Sequence, residues 1–286
     1  MTERVWFITG ASRGLGRAFA EAALAAGDRV AATARRVEDL GPLIDEYGER
    51  VQSLTLDVTD RSAVFAAVAD ALRVHGRIDV AVNNAGYGLS GAVEEVSEAQ
   101  ARHQLDVNVL GALWCTQAVL PPMRAQRSGH IFQISSLGGV VAFLNGGLYN
   151  ASKWALEGFS ESLAQEVAGF GIHVTLVEPG PFRTDWNGTS MVRAEPMAAY
   201  DDVLRERRRQ MSGEFANTQP GDPRQAAQAL LTVLDAADPP RRLLLGKLAA
   251  DVAPKTYHAR LDQWQQWDEI ARNADFPASS PTGASG

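Results

Sequence analysis

Apolar residues in this chain fall into short, almost unbroken runs separated by longer stretches of helical periodicity. Arg4-Val5-Trp6-Phe7-Ile8-Thr9 reads as a buried strand, glycines follow, and a helical pattern runs from Leu15 to Ala26 until Gly27-Asp28 breaks it. Arg29 to Ala34 reads as a second strand and Val51 to Leu56 as a third. A helix from about Arg61 to Val74 leads to a fourth strand, Ile78 to Val82. A helix from roughly Glu98 to Met123, ended by Pro121-Pro122, precedes a fifth strand, Gly129 to Ser135. Leu148 to Ala168 reads as helix and Ile172 to Val177 as a sixth strand. After an irregular stretch come a helix from Arg224 to Ala236 and a short final strand, Arg241 to Leu245. Strands that are apolar throughout and alternate with helices predict an α/β fold, a parallel sheet covered on both faces. With right-handed crossovers this is a three-layer, doubly wound sheet of Rossmann type, whose ligand crevice lies outside the strand C-termini.

One stretch breaks the rhythm. Residues 182 to 221 carry Gly, Pro, Met and scattered charges, with one short helix around Ala198 to Met211. Their place directly after a strand end predicts a substrate loop or lid. The expected organisation is a single catalytic domain over 1–247, a helical extension over 248–275 and a disordered tail over 276–286. Trp264 and Trp267 belong to the late helix and are expected to pack back on the domain or on a partner.

Composition narrows the class. The 286 residues are 45% hydrophobic and 21% charged, with a net charge of -7, so the electrostatic footprint of nucleic-acid binding is not expected. Arg205, Arg207, Arg208 and Arg209 cluster, but Asp201, Asp202, Glu206 and Glu214 surround them, and a solvated helix face is the reading. The single cysteine, Cys115, excludes an intrachain disulfide, and its apolar context predicts a buried, inert thiol. The five histidines lack metal-ligand spacing. The chain runs straight into its first strand without a positively charged leader, and no apolar run approaches the ~20 residues that span a bilayer. A cytoplasmic protein without membrane contact is expected.

Two features carry chemistry. Thr9-Gly10-Ala11-Ser12-Arg13-Gly14-Leu15-Gly16 follows the first strand and opens the first helix, the context in which a glycine loop seats a pyrophosphate at a helix N-terminus. The second strand ends Ala34-Arg35-Arg36, with guanidiniums where an acid would bind the adenosine ribose 2′-hydroxyl. Arg13 and Arg35 suit a 2′-phosphate, so NADP(H) is preferred over NAD(H), which stays possible. The second feature is Tyr149 and Lys153, one helical turn apart, with Ser136 thirteen residues upstream of the tyrosine. A phenol beside an ammonium is a candidate acid/base, because a neighbouring positive charge favours phenolate.

Together these residues resemble the short-chain dehydrogenase/reductase family, over roughly residues 3 to 247. Its glycine motif corresponds to Thr9 to Gly16, taking in Gly10, Ser12, Arg13, Gly14, Leu15 and Gly16. Its Asn-Asn-Ala-Gly motif corresponds to Asn83, Asn84, Ala85 and Gly86. Asp57, followed by Val58, corresponds to the aspartate that meets the adenine. Asn108, Ser136, Tyr149 and Lys153 correspond to the catalytic set, Pro179-Gly180 to the turn after the sixth strand, and Thr184 to the residue holding the nicotinamide carboxamide. The resemblance implies hydride transfer between NADP(H) and a carbonyl or secondary alcohol. Tyr149 would be the acid/base, Ser136 would hold the carbonyl oxygen, Lys153 would tune the phenol and bind ribose, and Asn108 would order a water chain. It also implies a homodimer or homotetramer. The apolar residues Val140, Val141, Ala142, Phe143 and Leu144, with Phe182, Trp186 and Met191, suggest an apolar alcohol or ketone substrate, in the manner of hydroxysteroid and retinol dehydrogenases. Two other functions fit a nucleotide-binding fold: a non-redox epimerase or dehydratase, and a catalytically silent NADP(H)-binding regulator, the latter having no need of Ser136, Tyr149 and Lys153 together.

Overall fold

A computed structural model describes residues 3–184, 190–210 and 218–276. The first half alternates strand and helix: β1 (Val5–Ile8), α1 (Gly14–Ala25), β2 (Arg29–Ala34), α2 (Gly41–Tyr47), β3 (Val51–Thr55), α3 (Arg61–His75) and β4 (Val80–Asn83). Then come β5 (Gly88–Ser90), α4 (Glu98–Leu105), α5 (Gly111–Gln126), β6 (Gly129–Ile134), α6 (Gly147–Val167) and β7 (Ile172–Pro179). The chain continues through β8 (Met191–Arg193), α7 (Asp201–Gln210), α8 (Pro223–Leu234), β9 (Arg242–Leu245), α9 (Lys247–Gln266) and α10 (Asp268–Arg272).

Seven strands form one sheet in the order β3-β2-β1-β4-β6-β7-β9, and every pairing is parallel. Alternation along β1 divides the core. Trp6 and Ile8 join the layer made with Phe19, Leu24, Leu230 and Val233, while Phe7 faces the layer made with Val68, Val119, Met123 and Leu163. This is the doubly wound sheet the apolar runs predict. Strand order reverses between β1 and β4, and a crevice opens at such a point. Cys115 is buried as expected, and burial pushes its thiol up to about 12.

Four features depart from the sequence reading. The helix α2 was unanticipated; its seven residues are too few for a periodic signal. The continuous helix expected from Glu98 to Met123 is α4 and α5 joined by a π-helical turn at Asp106–Leu110. Its C-terminus is not at Pro121-Pro122: proline φ is compatible with a helix already running, and α5 ends only where Arg127 turns left-handed at φ 52°. In the irregular stretch, β8 pairs with β5 in a separate two-stranded sheet, a contact between strands of three residues each that no local pattern announces. This stretch is also fastened to the body by Glu95, a buried acid that accepts from the backbone N–H of Met197 (2.8 Å) and pairs with Arg208 of α7. Trp186 and the end of the expected short helix, Met211, lie outside the described residues, as does the tail from Pro277.

The extension is a long helix, α9, followed by the short α10. The first half of α9 buries Ala249 and Ala253 against Leu137 and Val140, and Arg260 donates to the Val140 carbonyl (3.0 Å) while covering the Trp154 ring at 4.7 Å. The tryptophans do not pack back: Trp264 and Trp267 are 67% and 59% exposed in this chain.

Candidate active site

The glycine loop leaves β1 at Thr9, whose hydroxyl accepts from the backbone N–H groups of Asn84 and Ala85 (both 2.9 Å). The Asn84 amide donates to the Thr9 and Gly10 carbonyls (2.9 and 3.0 Å), so the loop after β4 holds the loop after β1. Gly10 and Gly14 have φ of 65° and 59°, backbone that a side chain would strain. At Gly16 a Cβ would lie closer than 3.0 Å to the Gly10 carbonyl oxygen and to Asn84 Nδ2. The result is a flat backbone cradle at the N-terminus of α1, fit for a pyrophosphate.

Around this cradle lies a cleft of about 1280 Å³. That exceeds the ~300–1,000 Å³ usual for one small ligand and leaves room for a dinucleotide and a second molecule. Gly10, Ser12, Arg13, Gly14 and Leu15 line it beside Arg35, Asp57, Val58, Asn84, Ala85 and Gly86. Ser136, Tyr149, Lys153, Pro179, Gly180 and Thr184 complete the anticipated wall. Thr184 comes back over the glycine loop: its side chain is 3.7 Å from where a Gly14 Cβ would be. Gly16 and Asn108 stand behind the wall, the first by packing as described.

Asn108 is held by the π-helical turn and is 1% exposed. Its amide accepts from the Tyr87 N–H and donates to the Tyr87 carbonyl and to the Ser152 hydroxyl, each at 3.1 Å. A Cβ at Gly86 would lie 3.1 Å from Asn108 Oδ1 and 3.7 Å from Lys153 Nζ, so only glycine leaves this corner open. Turns of this kind recur at functional sites because they re-aim one side chain.

Tyr149 and Lys153 are both buried on α6, as their spacing requires. Lys153 Nζ donates to the Ile134 carbonyl at the end of β6 (2.8 Å), which fixes the ammonium below the phenol. Ser136 lies two residues beyond the same strand; its hydroxyl accepts from the Gly138 N–H (3.0 Å) and hydrogen-bonds to Tyr149. Burial pushes the phenol up to about 12, and the Ser136 bond opposes it. Burial pushes the Lys153 ammonium down to about 8, with Glu157 pulling the other way. The spacing predicts a phenol depressed by its lysine; removal from water wins, because both groups lose solvent together. At neutral pH Tyr149 therefore carries its proton next to the Ser136 hydroxyl.

Other walls of the cleft were not read from the sequence. Asp39 lies beside the expected arginines and pairs with Arg36 (2.8 Å), an i,i+3 spacing that was visible but unused. Leu248 and Val252 of α9 and His103 of α4 also line it. So does Arg207, which the sequence placed on a solvated face. Of the apolar residues, Val141, Phe143, Leu144, Phe182 and Met191 face the cleft, whereas Val140 is buried under α9.

Comparison with known proteins agrees with this geometry. The family model for short chain dehydrogenase matches residues 4–193. Oxidoreductase BOA17 of Botryotinia fuckeliana is 44% identical over 272 residues, covering 94% of this chain and 98% of its own. The crystal structure of a short-chain dehydrogenase from Streptomyces avermitilis superposes with a TM-score of 0.90 at 42% identity, over 96% of this chain and 100% of that one. An alcohol dehydrogenase from Thermococcus sibiricus, complexed with 5-hydroxy-NADP, gives 0.71 at 27% identity, over 85% and 96%. The chain belongs to the short-chain dehydrogenase family and is an oxidoreductase using a nicotinamide cofactor. None of its described helices is long and apolar enough to cross a membrane.

Proposed function

We propose that this protein interconverts a carbonyl and a secondary alcohol, prefers NADP(H), and uses Tyr149 as the acid/base. The observation carrying this reading is the Tyr149 phenol, buried and hydrogen-bonded to Ser136 on the wall of a cleft that begins at the glycine cradle. The bound cofactor would supply the hydride. Ser136 holds the carbonyl oxygen and steadies charge developing on it. Tyr149 gives that oxygen its proton, or removes it in the alcohol direction. Lys153, anchored on Ile134, would bind a ribose hydroxyl of the cofactor and favour the deprotonated phenol after transfer. Asn108 fixes the Tyr87 backbone and the α6 helix at Ser152 behind these groups.

Arg13 and Arg35 are exposed in the cleft wall, and Asp39, which follows the second strand, is paired with Arg36. This supports a 2′-phosphate over a bare ribose hydroxyl. The phenylalanine variant of Tyr149 is expected to fold and bind NADPH while turnover falls about 10²–10⁴-fold. Oxidation of NADPH followed at its nicotinamide absorbance, across a panel of ketones, tests this; full activity in Tyr149→Phe would sink the assignment. NADPH and NADH titrated side by side on wild type and Arg35→Ala test the cofactor preference, which should fall about tenfold or more with that variant.

A further inference from the structure

Helix α7 carries four arginines, and three are neutralised. Arg205 pairs with Asp202 (2.5 Å), Arg209 with Glu206 (2.9 Å), and Arg208 with both Asp201 (2.8 Å) and the buried Glu95. Arg207 makes no ion pair among the described residues. It is half-buried, its Nε is shut from solvent without a hydrogen-bond partner, and its guanidinium lies over the Phe143 ring at 5.2 Å. Phe143 is in turn 6.4 Å, centroid to centroid, from the Tyr149 ring. Arg207 therefore lines the cleft one aromatic ring away from the acid/base.

A half-buried cation stacked on Phe143 is costly unless something partners it. Stacking on Phe143 recovers part of that cost and leaves the edge of the guanidinium, with its donors, for a ligand. Burial also pushes the Arg207 guanidinium down from its ordinary value, with no acid opposing it. A guanidinium edge matches the paired oxygens of a carboxylate or phosphate. An ammonium in the same place would be repelled.

We infer that Arg207 is a specificity-determining residue that binds an oxyanion on the substrate, so that the preferred substrate joins an apolar body and its carbonyl to a carboxylate or phosphate. This deepens the carbonyl-reductase reading and rests on it for the position of the reacting carbon.

Oxodecanoates with the carbonyl at successive positions, each paired with its methyl ester, and a ketone bearing a phosphate monoester, are the turnover probes. Wild-type enzyme with NADPH should favour the acid over its ester, or the phosphate over its parent alcohol, by about 10- to 100-fold in kcat/KM, the range of a charge-assisted hydrogen bond. Arg207→Met should erase that ratio through KM, costing the acids far more than their esters; Arg207→Lys, which keeps the charge, should retain part of it. Binding is read independently from the melting temperature of the NADPH-loaded protein with decanoate, decyl phosphate or decanol. If no ketone is reduced but an anion stabilises wild type and not Arg207→Met, the reductase reading falls and the anion site stands. Equal response to anion and alcohol in wild type, or equal loss of acids and esters in Arg207→Met, overturns the inference.

Discussion

Replacing Gly16 by alanine sets local propensity against tertiary packing, with opposite signs. Gly16 lies inside α1, where glycine costs a helix about 0.5–1 kcal/mol relative to alanine. Propensity alone therefore predicts a more stable protein. The new methyl, however, would sit closer than 3.0 Å to the Gly10 carbonyl oxygen and Asn84 Nδ2, with Asn84 Cγ at 3.1 Å. None of these can yield alone, because Asn84 holds the Thr9 and Gly10 carbonyls and Thr9 holds the Asn84 N–H. Overpacking of this kind costs about 1–3 kcal/mol. Less the helical gain, the net is a loss of up to about 2.5 kcal/mol and a fall of a few degrees in melting temperature, at about 2–4 °C per kcal/mol. The same displacement opens the cradle, and NADPH affinity should drop at least about tenfold, or 1.4 kcal/mol. Gly158 in α6 is the control, since nothing lies within 4 Å of a Cβ there and Gly158→Ala should raise the melting temperature. Calorimetry with and without NADPH, together with a fluorescence titration, reads both effects. Gly16→Ala binding NADPH as wild type does and melting at or above it would refute the packing argument.

Other perturbations test separate parts of the molecule. His130 is buried against Phe132 with its Nε2 2.9 Å from Thr175 Oγ1, and burial, reinforced by His173, pushes it from 6.5 down to about 3. Its folded state is neutral, so its contribution is whole above pH 6.5 and is lost as pH falls towards 3; His130→Gln should flatten melting temperature against pH across that window, by up to a few kcal/mol at its acid end. Asn83 donates to Thr116 Oγ1 (2.9 Å) and Gln133 Oε1 (3.0 Å) beneath the cleft, and Asn83→Ala should cost about 1–3 kcal/mol in urea unfolding by orphaning buried groups. Asp39→Asn releases Arg36 from its ion pair and should raise the preference for NADPH over NADH in parallel titrations, whereas an unchanged ratio would mean that Arg36 does not meet the 2′-phosphate.

The apolar runs made the main sheet legible because parallel strands buried on both faces have no polar side to obscure them. Helices of more than ten residues were legible for the corresponding reason, since α1, α3, α6 and α8 each repeat their buried positions often enough to be seen. What escaped notice were elements whose reason for existing is elsewhere in space. β5 and β8 are three residues long and stabilise one another across a hundred positions of sequence. The π-helical turn at Asp106–Leu110 exists because Asn108 is bonded to Tyr87 and Ser152, and neither partner is near it in the chain.

The candidate site divides along the same line. Residues at strand C-termini, such as Gly10, Asp57, Ser136 and Pro179, could be placed because the sheet itself brings strand ends together. Charge states could not be placed in this way. The sequence contains Tyr149 beside Lys153 and suggests a depressed phenol, but the degree of burial that overturns this belongs to the whole packed sheet edge. Arg207 is the same case with the opposite outcome. In sequence it is one of four arginines among as many acids, and charge counting neutralises it. Helical geometry gives Asp202, Glu206 and Asp201 to its neighbours and turns Arg207 towards Phe143, so its missing partner becomes visible only when each pair is assigned in space. The oxidoreductase family was legible because it depends on a motif, and the unpaired charge of Arg207 was not, because it depends on pairing in space.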